Sequence, residues 1–226
     1  MTKKQRYCLA FHARADETIS APEKHVRFFE GIKELPIPWG LAGRPAPPCP
    51  EFGRRPVAAF SLTKFFGDGV KRAMLTYKYR RLLSDDGYSD DRLLIDFDPS
   101  KVDVQYLIYS VIPRYIEAFD AYRVDYYAEK FVTLAYKERA EPTSARAAHV
   151  NPRFTVEHIW PVSFFDEVLC RRAFSLSPDE VMVRLKDKVE HVQLVHNGVF
   201  VVGTSRIQSL DEAQHLCQQM MSAVRG

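Results

Sequence analysis

The chain has 226 residues, of which 46% are hydrophobic and 12% aromatic, and its 32 basic and 29 acidic side chains leave a net charge of +3. A chain of this length and apolar content buries a substantial core, as one large domain or two small ones, which excludes wholesale disorder. The near balance of charge gives no general attraction to nucleic acid or to an anionic membrane.

Four single cysteines are scattered through the sequence, and none belongs to a C-x-x-C pair. This pattern excludes a zinc ribbon and is typical of a protein from a reducing compartment. The basic start of the sequence is not followed by a long apolar run, so we expect neither a signal peptide nor a membrane-spanning helix. The expected location is the cytoplasm, without a cofactor and without a bound metal.

The first quarter of the chain contains a predicted strand, a helix and a long loop. Residues 6–13 alternate along the two faces of a strand. Ser20 and Glu23 form a capping box before a helix that continues to Leu35. Residues 36–56 include seven prolines and cannot form a regular element. This loop is either functional or mobile, or it is an extended strap held by its large apolar side chains, and we favour the strap.

Three strands and a helix are predicted next. The strands cover residues 57–62, 70–81 and 93–97, where apolar or alternating patterns fit an extended chain. A helix with Ser100 as its N-cap follows the third strand. Pro113 removes one backbone hydrogen bond, so we expect a kink or a break in this helix.

The remaining elements divide the chain into two lobes. A further helix is predicted from the apolar spacing of residues 126–135, and the polar stretch 140–152 is a candidate linker. Residues 1–140 are then an N-terminal α+β lobe. Residues 150–226 are a C-terminal lobe of order α-α-β-β-α, whose first helix is predicted over 164–174. The two lobes form either separate small cores or one continuous domain.

Local signals in the C-terminal lobe are strong. Ser177 with Glu180 and Ser209 with Glu212 are two more capping boxes, each of which predicts the start of a helix. The strands predicted within residues 189–203 are joined by an Asn-Gly turn, which favours a tight hairpin. For the whole chain we expect an α+β fold with a mixed or antiparallel sheet packed by helices.

The segment Thr155-Val-Glu-His-Ile-Trp-Pro161 resembles the start of the HNH (ββα-metal) nuclease motif. That resemblance implies that Glu157 binds a divalent metal and that His158 deprotonates the attacking water. It also implies that His196 or Asn197 is the later His or Asn residue of the nuclease motif. Asn197, however, lies in a predicted hairpin and no basic residue follows it. His158 as a histidine at the end of a strand, with a backbone partner, is the other interpretation.

Six aspartates occur between residues 85 and 98, in and beside an acidic turn. Carboxylates can bind a hard cation, which is one interpretation, although the spacing of these aspartates does not match an EF-hand loop. A solvated acidic loop is the second interpretation. The third interpretation is an interaction surface for a basic partner, because clustered acids beside a tyrosine favour complementary contacts. The predicted contact residues of such a surface are Asp85, Asp86, Tyr88, Asp90 and Asp91.

Four segments of the sequence are similar to bacterial immunity proteins, which partner polymorphic or type VI-secreted toxins. They are Asp96-Phe-Asp-Pro99, Ile112-Pro-Arg-Tyr-Ile-Glu-Ala-Phe-Asp-Ala-Tyr122, Asn197-Gly-Val-Phe-Val-Val202 and Ser209-Leu-Asp-Glu-Ala213. The similarity implies a cytoplasmic protein that binds one cognate toxin or effector and blocks its active site.

No coherent catalytic set of residues competes with this hypothesis, so we expect a binding protein rather than an enzyme. In this hypothesis the acidic turn covers a toxin cleft that binds an anionic substrate, and buried aromatic anchors supply most of the affinity. Neither a membrane nor direct contact with nucleic acid is expected. The HNH-like nuclease and a structural subunit of a larger assembly are the alternative functions.

Overall fold

The computed structural model describes residues 6–129, 131 and 151–226. In this part of the chain an eight-stranded antiparallel sheet carries five helices of at least eight residues, which confirms the predicted α+β class. The strands are β1 (Tyr7–Arg14), β2 (Val57–Ser61), β3 (Val70–Lys78), β4 (Asp90–Phe97), β5 (Arg123–Ala128), β6 (Val162–Asp166), β7 (His191–Val195) and β8 (Gly198–Val202). The helices are α1 (Ala21–Ile32), α2 (Ile112–Phe119), α3 (Glu167–Phe174), α4 (Pro178–Leu185) and α5 (Leu210–Arg225).

The sheet has the strand order β2-β3-β4-β1-β5-β6-β8-β7. It passes from the first half of the chain to the second where β5 pairs with β6, with Val124 opposite Phe164. The largest hydrophobic cluster also draws on both halves, since it contains Leu9 and Phe119 together with Phe200. Strands from both halves therefore share one hydrogen-bonded ladder.

The two faces of the sheet are covered by different helices. On one face Leu9 and Phe11 of β1 pack with Phe28 of α1 and Phe119 of α2 in the larger cluster. On the other face the side chains of β6 and β8 pack against α3, α4 and α5 in a second cluster. Where β3 and β4 form this second face, their side chains are half-buried or exposed, which leaves that part of the sheet accessible. They include Arg72, Met74, Thr76, Arg92 and Leu94.

All three predicted capping boxes are present. In each, the serine hydroxyl accepts from the backbone N–H three residues on, and the glutamate carboxylate accepts from the N-cap N–H. These reciprocal bonds satisfy backbone donors that the first turn of a helix leaves open, and so they fix where α1, α4 and α5 begin. The proline-rich segment is the strap we favoured, because Trp39 and Leu41 are buried in the larger cluster and Phe52 packs against it.

Two predicted helices were wrong in part. Where residues 126–135 suggested a helix, the chain forms strand β5 up to Ala128, and Glu129 and Phe131 are helical as predicted. Val124, Tyr126 and Ala128 face the larger core, so the true period there is two. Residues 132–135 and most of the candidate linker, 140–150, lie outside the described residues.

The helix predicted over 164–174 starts three residues later, because Val162–Asp166 forms the buried strand β6. Asp166 is the N-cap of α3, and its carboxylate accepts from Leu169 N–H at 2.8 Å.

Near Pro113, where we expected a kink or a break, the helical region is continuous and only its hydrogen-bonding pattern changes. Pro113 lies in the first turn of α2, directly after a π-helical stretch over Leu107–Val111. The start of this helical region differs from the prediction, since Asp103 accepts from Tyr106 N–H at 2.9 Å and Ser100 is not its N-cap. Ser100 belongs instead to a short turn whose N-cap is Asp98.

Candidate interaction surface

The acidic turn, residues 84–91, contains a 3-10 turn over Gly87–Ser89 that is held by Asp86, and its last two residues begin strand β4. The Asp86 carboxylate accepts from the Tyr88 N–H at 2.8 Å and from the Ser84 hydroxyl at 2.7 Å. The hydrogen bond from Ser84 and those from the backbone hold the pKa of Asp86 below its usual range. Asp86 is thus a charged cap that shapes the turn.

Asp90, the first residue of β4, is fully buried. Its carboxylate accepts from Arg153 Nε at 2.7 Å and from the Tyr122 hydroxyl at 2.6 Å. His12 Nδ1 is 3.6 Å from the same carboxylate. Burial, followed by the charge of Asp90, raises the pKa of Tyr122, so this phenol stays protonated and donates.

Asp91 is also fully buried and is neutralised from two sides. Arg80 makes a bidentate contact with it at 2.9 and 2.8 Å, and Lys24 Nζ lies 3.5 Å away. Lys78 N–H donates to the same carboxylate at 2.8 Å. Burial lowers the pKa of Lys24, although the charge of Asp91 opposes this effect. These contacts connect α1, β3 and the start of β4.

The five predicted contact residues therefore divide into two groups. Asp90 and Asp91 lie in the interior and support the turn through ion pairs. Asp85 and Tyr88 are exposed, Tyr88 to 61%, and Asp86 is half-buried. Asp85 lies 3.3 Å from Arg153 and 3.6 Å from Arg172, so two cations balance its charge. The turn therefore exposes the ring of Tyr88, while arginine side chains balance most of the negative charge of the turn.

Residues 151–154 form the other side of this surface. Asn151 Oδ1 accepts from Gly87 N–H at 3.2 Å, and Asn151 Nδ2 donates to the Asp85 carbonyl at 2.9 Å. Pro152 packs so closely that a Cβ at Gly87 would lie 2.3 Å from its Cγ. These contacts join residues more than 60 positions apart, and only the glycine in the turn gave a local signal of them.

Large apolar side chains are exposed around the turn. Phe154 is partly exposed, with the Arg172 guanidinium 4.2 Å from its ring centroid. Leu82, two residues before the turn, is 64% exposed. We call the set Leu82, Asp85, Tyr88, Phe154 and Arg172 the turn surface. Exposed aromatic and aliphatic side chains on a fixed support are typical of protein contact sites.

The residues that resembled a nuclease motif lie elsewhere. Glu157 and His158 are half-buried in the segment before β6, where the His158 ring packs 5.1 Å from Trp160. His196 is at the β7–β8 hairpin, with Nε2 3.2 Å from Asp120 Oδ1. The Asn197 carbonyl accepts from the first N–H of α3 at 2.9 Å. Among the described residues, no group of three or more His, Cys, Asp or Glu is placed to hold a metal ion.

A cleft of about 460 Å³ lies between the residues that precede β7 and those that connect β8 to α5. Its walls carry side chains of both signs, including Lys188, Glu190, Arg206 and Glu212. Glu190 is occupied there by hydrogen bonds from Tyr109 and Ser205. None of the residues predicted to form a site lines this cleft.

The fold and the turn surface define an α+β protein in which a helix-packed antiparallel sheet supports an exposed aromatic surface. No protein-family model and no curated protein matches the chain. Its fold is similar to that of the Pseudomonas aeruginosa T6SS protein PA0821, with a TM-score of 0.52 and 9% sequence identity over 98% of this chain and 76% of that one. No helix among the described residues has the length and apolar content to cross a bilayer.

Proposed function

We propose that this chain is a type VI secretion-associated immunity protein that binds a cognate effector in the cytoplasm and occludes its active site. The similarity of fold to a T6SS protein supports a link to that secretion system. The resemblance of four short sequence segments to immunity proteins is the basis of the finer assignment. This function requires a rigid contact surface and no turnover.

The main support for the proposal is the structure of the turn surface, in which exposed aromatic rings lie on a fixed backbone. Tyr88 and Phe154 are exposed on backbone that is fixed by buried ion pairs of Asp90 and by the Asn151 hydrogen bonds. An aromatic side chain on a fixed support loses little conformational freedom when it binds, so more of its contact energy appears as affinity.

The same geometry changes the mechanism that the sequence suggested. A mimic of an anionic substrate needs several exposed carboxylates without cationic partners. Here Asp90 and Asp91 are buried, and Asp85 faces Arg153 and Arg172. We therefore propose occlusion by aromatic anchors, with Asp85 and Asp86 fixing orientation more than supplying net charge.

The test is binding of the purified chain to each purified type VI effector of its own bacterium, measured by isothermal titration calorimetry. One effector should bind with a stoichiometry of one to one. Replacing Tyr88 and Phe154 together by alanine should weaken that complex by about 30-fold or more, which corresponds to the loss of a binding hot spot of about 2 kcal/mol.

The control replaces Val26 and Val183 by alanine, two apolar side chains that are 60% and 69% exposed on α1 and α4, outside the turn surface. This variant should bind like the wild type. In cells that express the effector, the wild type and the control should restore growth, and the aromatic variant should not. If every effector fails to bind, the proposed function is wrong. If the aromatic variant binds normally, the turn surface is not the interface.

A further inference from the structure

The positive charge of this protein is concentrated in one segment. Residues 51–82 contain eight basic and two acidic side chains, an excess of six, whereas the whole chain has a net charge of only +3. The basic residues are Arg54, Arg55, Lys64, Lys71, Arg72, Lys78, Arg80 and Arg81. The rest of the sequence is therefore slightly acidic, and the segment stands out from it.

The segment forms the β2–β3 hairpin at one edge of the sheet. Where β2 begins and β3 ends, Tyr79 N–H donates to the Pro56 carbonyl at 2.9 Å, and the Phe52 ring lies 5.6 Å from the Tyr79 ring. This pairing brings the turn with Arg54 and Arg55 beside the short helical turn that contains Arg81.

The cations at this place are exposed and unbalanced. Arg54, Arg55 and Arg81 are all exposed, and none forms an ion pair with a residue in the described ranges. Arg80 differs, since it points inward to Asp91. An exposed cation without a local carboxylate keeps its field available to a partner.

Apolar side chains accompany these cations. Tyr79 is partly exposed between them, and the exposed Leu82 follows Arg81 directly. We call the set Arg54, Arg55, Tyr79, Arg81 and Leu82 the basic edge. A few exposed apolar groups bordered by charge match the composition of protein–protein contact sites, in which arginine and tyrosine are enriched.

We propose that the basic edge binds an acidic surface of a protein partner. It shares Leu82 with the turn surface, so the two form one continuous docking site. This inference rests on the proposed function, which identifies the partner as the cognate effector. It adds that the effector has an acidic patch beside the site that binds Tyr88.

A protein fits this site better than a nucleic acid does. Leu82, which is exposed beside Arg81, gains contact area against an apolar side chain of a protein, whereas a phosphate backbone offers it charge alone. Cations bordered by apolar groups therefore select a surface in which acidic and apolar side chains alternate.

The experiment uses two labelled probes, a short peptide that alternates glutamate with leucine and a short DNA duplex, with fluorescence anisotropy as the readout. In one variant Arg54, Arg55 and Arg81 are replaced by glutamate. The control variant makes the same change of charge at Lys186, Lys188 and Arg206, which are exposed in the C-terminal half. Circular dichroism checks that both variants keep the fold.

The peptide should bind the wild type and the control equally, and the basic-edge variant at least about tenfold more weakly. Its affinity should fall between about 50 and about 200 mM salt. The inference is overturned if the peptide does not bind, if both variants lose affinity alike, or if the DNA binds as tightly as the peptide. Because no effector is used, these results are independent of the effector titrations that test the proposed function.

Discussion

His25 attaches the proline-rich strap to the sheet through two hydrogen bonds that fix its tautomer. Nε2–H donates to the Pro47 carbonyl at 2.8 Å, since a carbonyl can only accept, and Nδ1 therefore accepts from the Tyr77 hydroxyl at 3.2 Å. The ring is buried, and burial lowers the pKa of His25 from its ordinary value of 6.5. A protonated Nδ1 would face a hydroxyl that must then turn away.

This arrangement predicts a specific loss of stability in mild acid. Because the pKa is lower in the folded chain, the unfolded chain binds the proton more readily at pH values below 6.5. The free energy of unfolding should then decrease as the pH falls through that window, by at most about 1.4 kcal/mol per pH unit. Urea unfolding of the wild type and of His25→Gln between about pH 5.5 and about pH 7.5 measures the slope. Equal slopes in the two proteins would contradict the prediction.

Arg153 decides whether the buried carboxylate of Asp90 is tolerated. Replacing Arg153 by methionine keeps most of the side-chain volume but leaves Asp90, among the described residues, with Tyr122 and His12 as its polar neighbours. An uncompensated buried charge should lower the free energy of unfolding by about 3 kcal/mol or more. Arg172→Met is the control, because Arg172 pairs with the exposed Asp85 and should cost less than about 1 kcal/mol. Denaturant titration measures both changes.

At the scale of elements, the β7–β8 hairpin places two constraints on its sequence. One residue must adopt a positive φ in the turn, and another must be small enough for close strand packing. The turn residues are His196 and Asn197, and His196 adopts a left-handed conformation with φ of 53°. Gly198 already belongs to β8, and a Cβ on it would lie 2.3 Å from the carbonyl oxygen of Phe165 in β6. The glycine is needed for the close approach of two strands, and the positive φ falls on the histidine.

Two substitutions in this hairpin should therefore have opposite effects. His196→Gly should stabilise the protein by about 0.5–1 kcal/mol, because glycine adopts a positive φ without steric cost. Gly198→Ala should destabilise it, since the methyl group must displace the backbone of β6 and not a flexible side chain. Thermal unfolding followed by circular dichroism gives both signs. A neutral Gly198→Ala variant would show that the β6–β8 contact is looser than described.

The elements that the sequence predicted well are those with a local chemical cause. Capping boxes, the β7–β8 hairpin and the alternation of β1 need no knowledge of distant residues, although the hairpin turn lies one residue before the predicted Asn-Gly pair. The end of strand β5, residues 126–128, was predicted as the start of a helix because both faces of the strand are largely buried, which hides the period of two. The acidic turn was located correctly, but the burial of Asp90 depends on Arg153, 63 residues away, and no local pattern reveals such a partner.

At the scale of the molecule, the pairing of β5 with β6 has a consequence for folding. The strands of residues 6–128 and those of residues 162–202 lie in one ladder, and the larger hydrophobic cluster draws on both. Loss of β6 would expose the edge of β5 together with Val124, which is fully buried. The two halves should therefore stabilise each other and unfold together.

Differential scanning calorimetry tests this mutual dependence. We expect a single transition whose calorimetric enthalpy equals its van't Hoff enthalpy. Val181→Ala leaves a cavity between α4 and the sheet, far along the chain from β1, and should lower the free energy of unfolding by about 1–3 kcal/mol. Its effect should appear as a shift of the whole transition. Two separate transitions, with only one shifted by Val181→Ala, would instead mean that two lobes fold independently, and the shared ladder would then contribute little to the stability of either.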